Sequence, residues 1–215
     1  MIESKKIFIF GASSSGRAIL TLINDVNSIK MEFDVVGFVD NDEKLIGMDI
    51  DGYKVFSRQE LPVGDNYYGI SGVMDTLLRE KIINNEILSI GYKLPILVHP
   101  SAAIRKDSVI GPGSLIFPGV VLSYNVTIGK NVWIDTYTLV GHDVVINDYT
   151  SIMPSSIISG RCEIGKKCIL GAGSIIHQGI KIGDESLVGI GTVIIKDIPN
   201  KKSVIEFPRN IEKER

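Results

Sequence analysis

Cysteine is scarce in this chain. Cys162 and Cys168 are the two present, and no CxxC pair occurs, so a disulfide framework is excluded. Neither sign of charge dominates: 23 Lys and Arg stand against 25 Asp and Glu, which leaves no basic excess for nucleic acid and no acidic block of the disordered-tail kind. Long apolar runs are also missing. The run from Ile7 that ends at Gly11 is too short for a secretory signal or a membrane span, so we expect a cytoplasmic protein with no nucleic-acid partner and no membrane insertion. No metal site is expected either.

Glycine, by contrast, is plentiful, and it travels with a repeat. Stepping by six from Val98 through Ile104, Ile110 and Ile116 to Ile194 meets only Ile, Leu or Val, seventeen times without an insertion. A helix needs a period near 3.6 and a simple strand a period of 2, so neither accounts for six. The residue two before each aliphatic, from Ala102 to Thr192, is Ala, Ser, Thr, Cys or Val everywhere except Ile180. Residues two apart on a strand face the same way, so a large and a small side chain both point inward. One hexad then makes a short strand and a corner, and three make a triangular coil of eighteen residues. Residues eighteen apart should lie one strand spacing apart, about 4.8 Å. Both cysteines occupy the small inward position and read as buried, inert thiols.

Residues 1–94 have a different pattern. Lys6 to Phe10 reads as a strand, Gly11-Ala12-Ser13-Ser14-Ser15-Gly16 as a Gly-rich turn, and the following apolar-periodic stretch as a helix. Asp34 to Val39 reads as a second strand ending in Asp40-Asn41-Asp42, Tyr67 to Ser71 as a third closed by Gly72, and Met74 to Ser89 as a second helix. This alternation predicts a small α/β domain, βαβαβ and Rossmann-like, followed from 95 to 215 by the β-helix. A Gly-rich strand-to-helix turn offers N–H groups to phosphate, and an acidic residue ending the second strand can accept from a ribose or a base.

Taken together, IFIFGASSSG, GFVDND, VHPSA, GHDVVINDYTSI, CILGAGSII and GIGTVIIKDIP span nearly every element. Through them the whole chain resembles the hexapeptide-repeat sugar acyltransferases of the sialic-acid O-acetyltransferase and bacillosamine-pathway N-acetyltransferase type. The resemblance implies a left-handed parallel β-helix, acetyl-CoA as co-substrate and a nucleotide-linked amino sugar as acceptor, in surface glycan synthesis. It also implies a homotrimer with sites between subunits, which agrees with a thin prism that gains by packing its outer faces. By position, Ser13, Ser14, Ser15, Asp40, Asn41 and Gly72 would contact the nucleotide sugar, His142 would be the general base and Asp143 its partner. Ser151, Gly160, Ala172 and Ile190 would meet the donor. Ser151 stands where the family usually has His, Ser14-Ser15 where it has Gly-His, and Glu206-Phe207-Pro208-Arg209 where it has GxPA.

The register adds to this. His142, Gly160, Ala172 and Ile190 each fall two residues after an inward aliphatic, hence outside the prism, and Gly160 is one coil from His142. His99 at the junction and His177 on the outer surface read as structural. Sugar O-acetylation and a non-catalytic nucleotide-sugar-binding trimer stand as the alternatives to N-acetylation.

Overall fold

The structure is a computed structural model that describes residues 4–206. The GxPA counterpart at 206–209 and the charged 212–215 segment therefore lie almost wholly outside the described residues.

The N-terminal part is a five-stranded sheet with helices. Strand β1 (Lys5–Phe10) is flanked in parallel by β2 (Phe33–Val39) and β5 (Tyr67–Ser71). Helix α1 (Ser14–Ile29) crosses from β1 to β2, and its inward side carries Ile19, Leu22 and Ile23, spaced three or four residues apart as a one-sided helix requires. One expectation needs correcting. No α-helix joins β2 to β5. The chain instead makes a hairpin of β3 (Asp49–Ile50) and β4 (Tyr53–Phe56), with β4 parallel to β2 at the sheet edge, and then a single 3-10 turn at Arg58–Glu60. The Asp51-Gly52 pair supplies two left-handed residues, φ 53° and 85°, to close the hairpin. Helix α2 (Thr76–Ile82) starts on an Asp75 cap that accepts from the Leu78 N–H, runs on through a π-helical stretch, and stops at left-handed Gly91.

From Leu97 the chain winds into a parallel β-helix. Eighteen two-residue strands stack into three sheets of seven, six and five strands, paired eighteen residues apart, as in Leu139 with Ile157, except for the last strand, where Leu187 pairs with Ser203. The first face carries Leu97, Leu115, Trp133 and Ser151; the second carries Val121, Leu139, Ile157 and Ile175; the third carries Thr127, Val145, Glu163 and Lys181. Every sixth residue from Gly113 to Gly191 turns a corner in the left-handed region, with φ between 55° and 78°.

The inward aliphatics form one continuous core with Cys162 and Cys168 inside it. The small inward positions follow from hydrogen bonding as much as from volume. Ser114, Thr150 and Ser156 donate to carbonyls fifteen residues ahead, at 2.7–3.1 Å, so each buried hydroxyl is satisfied. The two thiols point to carbonyls in the same offset at 3.1 Å, and burial pushes Cys168 up to about 11.

The N-terminal part covers the first face. Trp133, Leu115 and Leu97 share a core with α1, and Trp133 stacks on Phe117 at 4.8 Å. Arg79 of α2 is the polar anchor of this joint. Its guanidinium, almost wholly buried, donates to the carbonyls of Val73, Met74, Tyr149 and Thr150 and to Ser151 Oγ at 2.8 Å. Burial lowers its pKa to about 10. Among the described residues no helix is long and apolar enough to cross a membrane.

Candidate active site

His142 stands on the edge between the second and third faces, between the strands Leu139–Val140 and Val145–Ile146. Its Nδ1 is 2.8 Å from Asp143 Oδ2, a contact one residue long that the left-handed corner at Asp143 (φ 57°) makes possible. The Asn125 amide donates to the other oxygen, Asp143 Oδ1, at 2.6 Å. That bond first, and the imidazole second, holds the Asp143 carboxyl below its ordinary range. Tyr124 lies one coil before His142 and stacks on the imidazole with ring centres 5.1 Å apart and planes 10° apart. On the other side is Gly160, where a Cβ would come within 2.5 Å of His142 Nε2. The imidazole is thus sandwiched between Tyr124 and Gly160, held at Nδ1, and it fills the volume that a side chain at 160 would take, so only a glycine leaves it room. Among the described backbone hydrogen bonds, none is donated by Gly160.

The four donor-lining candidates do not share one edge. Gly160 is with His142, whereas Ala172 and Ile190 lie at the corner between the first and second faces, after Leu170 and Val188. Six-residue spacing puts Gly160, Ala172 and Ile190 outside the prism, but eighteen-residue spacing decides which edge, so one chain does not line a single edge with all three. Ser151 is corrected as well. It is fully buried, accepts from Arg79 and donates to the Met74 carbonyl at 3.0 Å, so it is part of the joint with the N-terminal sheet and has no surface to offer a donor.

At the C-terminal ends of β1 and β2 a cleft of about 230 Å³ is lined by Gly11, Asp40, Asn41, Val73 and Glu86, among others. Asp40 is already occupied by backbone: Oδ2 accepts from Ala12 N–H at 2.8 Å and Oδ1 from Asp42 N–H at 3.0 Å. Asn41 reaches Glu86 at 3.2 Å. Ser13 and Ser14 are exposed at the start of α1, without a side-chain cap, while Ser15 contacts Met74 Sδ at 3.3 Å. Gly72 is buried behind the turn, where a Cβ would meet Gly16 Cα at 2.7 Å, so its lack of a side chain serves close packing.

His99 bonds Ser101 at 2.8 Å and lies 3.3 Å from Asp25, as a joint residue would. His177 is exposed beside the Gln178 carbonyl. Tyr124, Asn125, Arg79 and Glu86 were not among the sequence candidates. The first two were reachable by subtracting eighteen from 142 and 143; Arg79 and Glu86 had no such signal, since each is one charged residue in a helical stretch.

A parallel β-helix with a His–Asp pair at an outer corner, bearing an α/β unit on one face, defines the hexapeptide-repeat class of group-transfer proteins. The family models agree: one described as C2185-like, N-terminal matches residues 3–93, and one described as GMPPB C-terminal domain matches residues 92–206. A GDP-perosamine N-acetyltransferase of Escherichia coli O157:H7 is 29% identical over 176 residues, 80% of this chain and 78% of the relative. WeeI from Acinetobacter baumannii AYE has a TM-score of 0.83 at 27% identity, covering 93% of this chain and 96% of its own. PerB from Caulobacter crescentus, solved with CoA and GDP-perosamine, has a TM-score of 0.83 at 23% identity, covering 99% of each chain, a likeness of fold. The chain belongs to the family described as GMPPB C-terminal domain, whose model covers more than half of it, and to the wider hexapeptide-repeat sugar acyltransferases.

Proposed function

We propose that the chain transfers acetyl from acetyl-CoA to the amino group of a nucleotide-linked sugar, with His142 as general base. The observation that carries this is the imidazole geometry: Nδ1 is tied to Asp143 at 2.8 Å, while Nε2, at the edge of a ring packed against Gly160, makes no hydrogen bond among the described residues. The sugar amine attacks the thioester carbonyl as His142 Nε2 takes its proton. The C–S bond breaks, the CoA thiolate leaves, and the proton passes to it. Asp143 fixes the Nδ1–H tautomer and steadies the imidazolium. The Gly160 N–H, on the same edge and without a backbone partner, is the candidate donor to the tetrahedral oxyanion.

The acceptor's nucleotide belongs in the cleft by Gly11, Asp40 and Asn41, with Ser13, Ser14, Ser15 and Gly72 at or behind the same turn. Asp40 then acts mainly by shaping that turn. The cleft belongs to the unit on the first face, while His142 is at the edge opposite that face, so one copy cannot bring them together. The second face carries the remedy: Val121, Leu139, Ile157, Ile175 and Val193 form an uninterrupted apolar stripe, each 38–50% exposed. A homotrimer packed through such stripes sets the His142 edge of one copy against the Ala172 and Ile190 edge of the next. In this reading those two residues and Gly160 flank one acetyl-CoA. Left-handed winding, a Rossmann-like N-terminal unit with its boundary at 94/95, and a cytoplasmic role in surface glycan synthesis complete the proposal.

CoA release from acetyl-CoA, measured with GDP- and UDP-linked 4-amino sugars and with their 4-hydroxy counterparts, tests it. Turnover is expected on an amino sugar, and His142→Ala should lower kcat by roughly 10²–10⁴-fold. No turnover on any amino sugar would reject N-acetylation, turnover on the 4-hydroxy sugars alone would establish O-acetylation instead, and full turnover by His142→Ala would reject the base.

A further inference from the structure

The His142–Asp143 pair rests on a second pair one coil earlier, Tyr124–Asn125, residue above residue. Tyr124 stacks on the imidazole at 5.1 Å, and Asn125 Nδ2 donates to Asp143 Oδ1 at 2.6 Å while Oδ2 faces His142 Nδ1 at 2.8 Å. Both carboxylate oxygens are therefore committed, one to each neighbour, and the carboxylate cannot turn without losing a bond. Asn125 is itself fixed from below, its N–H donating to Asp107 Oδ2 at 3.1 Å.

A plainer explanation of Asn125 is its backbone, since its φ of 55° is in the left-handed region where Asn is favoured. That explanation is insufficient. The equivalent corners are turned by Tyr137, Ser155, Arg161, Lys167 and Glu185 at φ 57–59°, so this solenoid does not need Asn to turn a corner. What distinguishes position 125 is that the residue eighteen ahead is the carboxylate holding the base.

We propose that Asn125 is a positioning residue for the acyl transfer: its amide sets the rotation of the Asp143 carboxylate, which in turn holds the His142 ring against Gly160 with Nε2 free of any hydrogen bond among the described residues. Tyr124 supports the same ring from its flat side. The proposal rests on His142 being the base. The charged or titratable groups facing the pair are Arg161 one coil ahead, Asp107 two coils before Asp143, and Tyr124; none of them supplies a second bond to the Asp143 carboxylate.

Two variants separate the amide from the corner. Asn125→Gly keeps the left-handed backbone and removes the side chain. Asn125→Asp keeps size and turn preference but replaces the donor with a charge. Both are expected to lower kcat about tenfold with little change in either KM, because substrate contacts are untouched. The added carboxylate favours the imidazolium, so the pH-dependent His142 ring signals in nuclear magnetic resonance should move to higher pH in Asn125→Asp than in the unaltered chain. With three histidines in the chain, loss of a signal in His142→Ala assigns the resonance. Unchanged kcat in both variants would overturn the proposal, whatever the His142 midpoint does in Asn125→Asp. The titration is read without turnover, so it stands apart from the proposed reaction: full activity of His142→Ala sinks the base, whereas an inactive His142→Ala beside fully active Asn125 variants sinks only the role of Asn125.

Discussion

Gly160 lies one coil ahead of His142, and a Cβ on it would stand 2.5 Å from the imidazole Nε2. The glycine is not demanded by its backbone, whose φ is outside the left-handed region; it is demanded by the ring. A methyl group there forces the imidazole to tilt, which breaks the alignment with Asp143. Gly160→Ala should therefore lower kcat/KM about 100-fold while changing stability by about 1 kcal/mol or less. Steady-state kinetics beside urea denaturation would check it. Equal losses in both would make Gly160 a folding residue instead.

Arg79 joins α2 to the β-helix through three acceptors, at Tyr149, Thr150 and Ser151, and to the segment before α2 through two more, and it has no carboxylate in its bonding shell among the described residues. Arg79→Ala leaves the Val73 and Tyr149 carbonyls without their donor and takes one bond each from Met74, Thr150 and Ser151, so it should cost about 3 kcal/mol in unfolding free energy. Ser151→Ala should cost about 1 kcal/mol alone, and the double variant less than the sum, because the two share one bond. Strict additivity in chemical denaturation would show that the 2.8 Å contact contributes nothing to stability.

Glu60 gives a pH signature. Its carboxylate accepts from Lys54 at 2.9 Å and from the Ser57 N–H at 2.7 Å, and these bonds hold its pKa down to about 2 from an ordinary 4.5. The unfolded chain then binds the proton first as pH falls, so the stabilisation is present above pH 4.5 and is lost on the way down to 2. The carboxylate is solvent-exposed, and the effect should be small. Thermal melts across this window should fall less steeply for Glu60→Gln than for the unaltered chain; parallel curves would remove Glu60 from the account.

The apolar stripe predicts association. Leu139→Glu or Ile157→Lys places a charge at the middle of the second face without touching the inward core, since both side chains point out. Light scattering should register a trimer for the unaltered chain and smaller species for either variant, with activity lost in step. A charged variant that stayed trimeric and active would mean that some other surface joins the copies.

Much of this was legible beforehand because the solenoid repeats. Period six marked the inward Ile, Leu and Val, and period eighteen marked which residues stand over one another, so Gly160 beside His142 could be counted. The same arithmetic located Cys162 and Cys168 inside. It failed where the chain leaves the repeat. The hairpin at 49–56 has no apolar alternation long enough to announce it, and the π-helical turn after Ile82 is invisible to a helical pattern.

Ser151 shows the limit most clearly. The resemblance alone assigned it to the donor, yet Arg79, 72 residues earlier in the chain, donates to its hydroxyl. Asp40 was chosen for its place at a strand end, and the fold has turned its oxygens toward Ala12 and Asp42. The sequence alone determined the coil, its inward residues and the column in which His142 stands, because those follow from short-range periodicity. Tertiary structure alone decided which face the N-terminal sheet covers, and that the cleft and His142 are on opposite sides of one chain. Such outcomes depend on packing between segments far apart in sequence, where no period connects them.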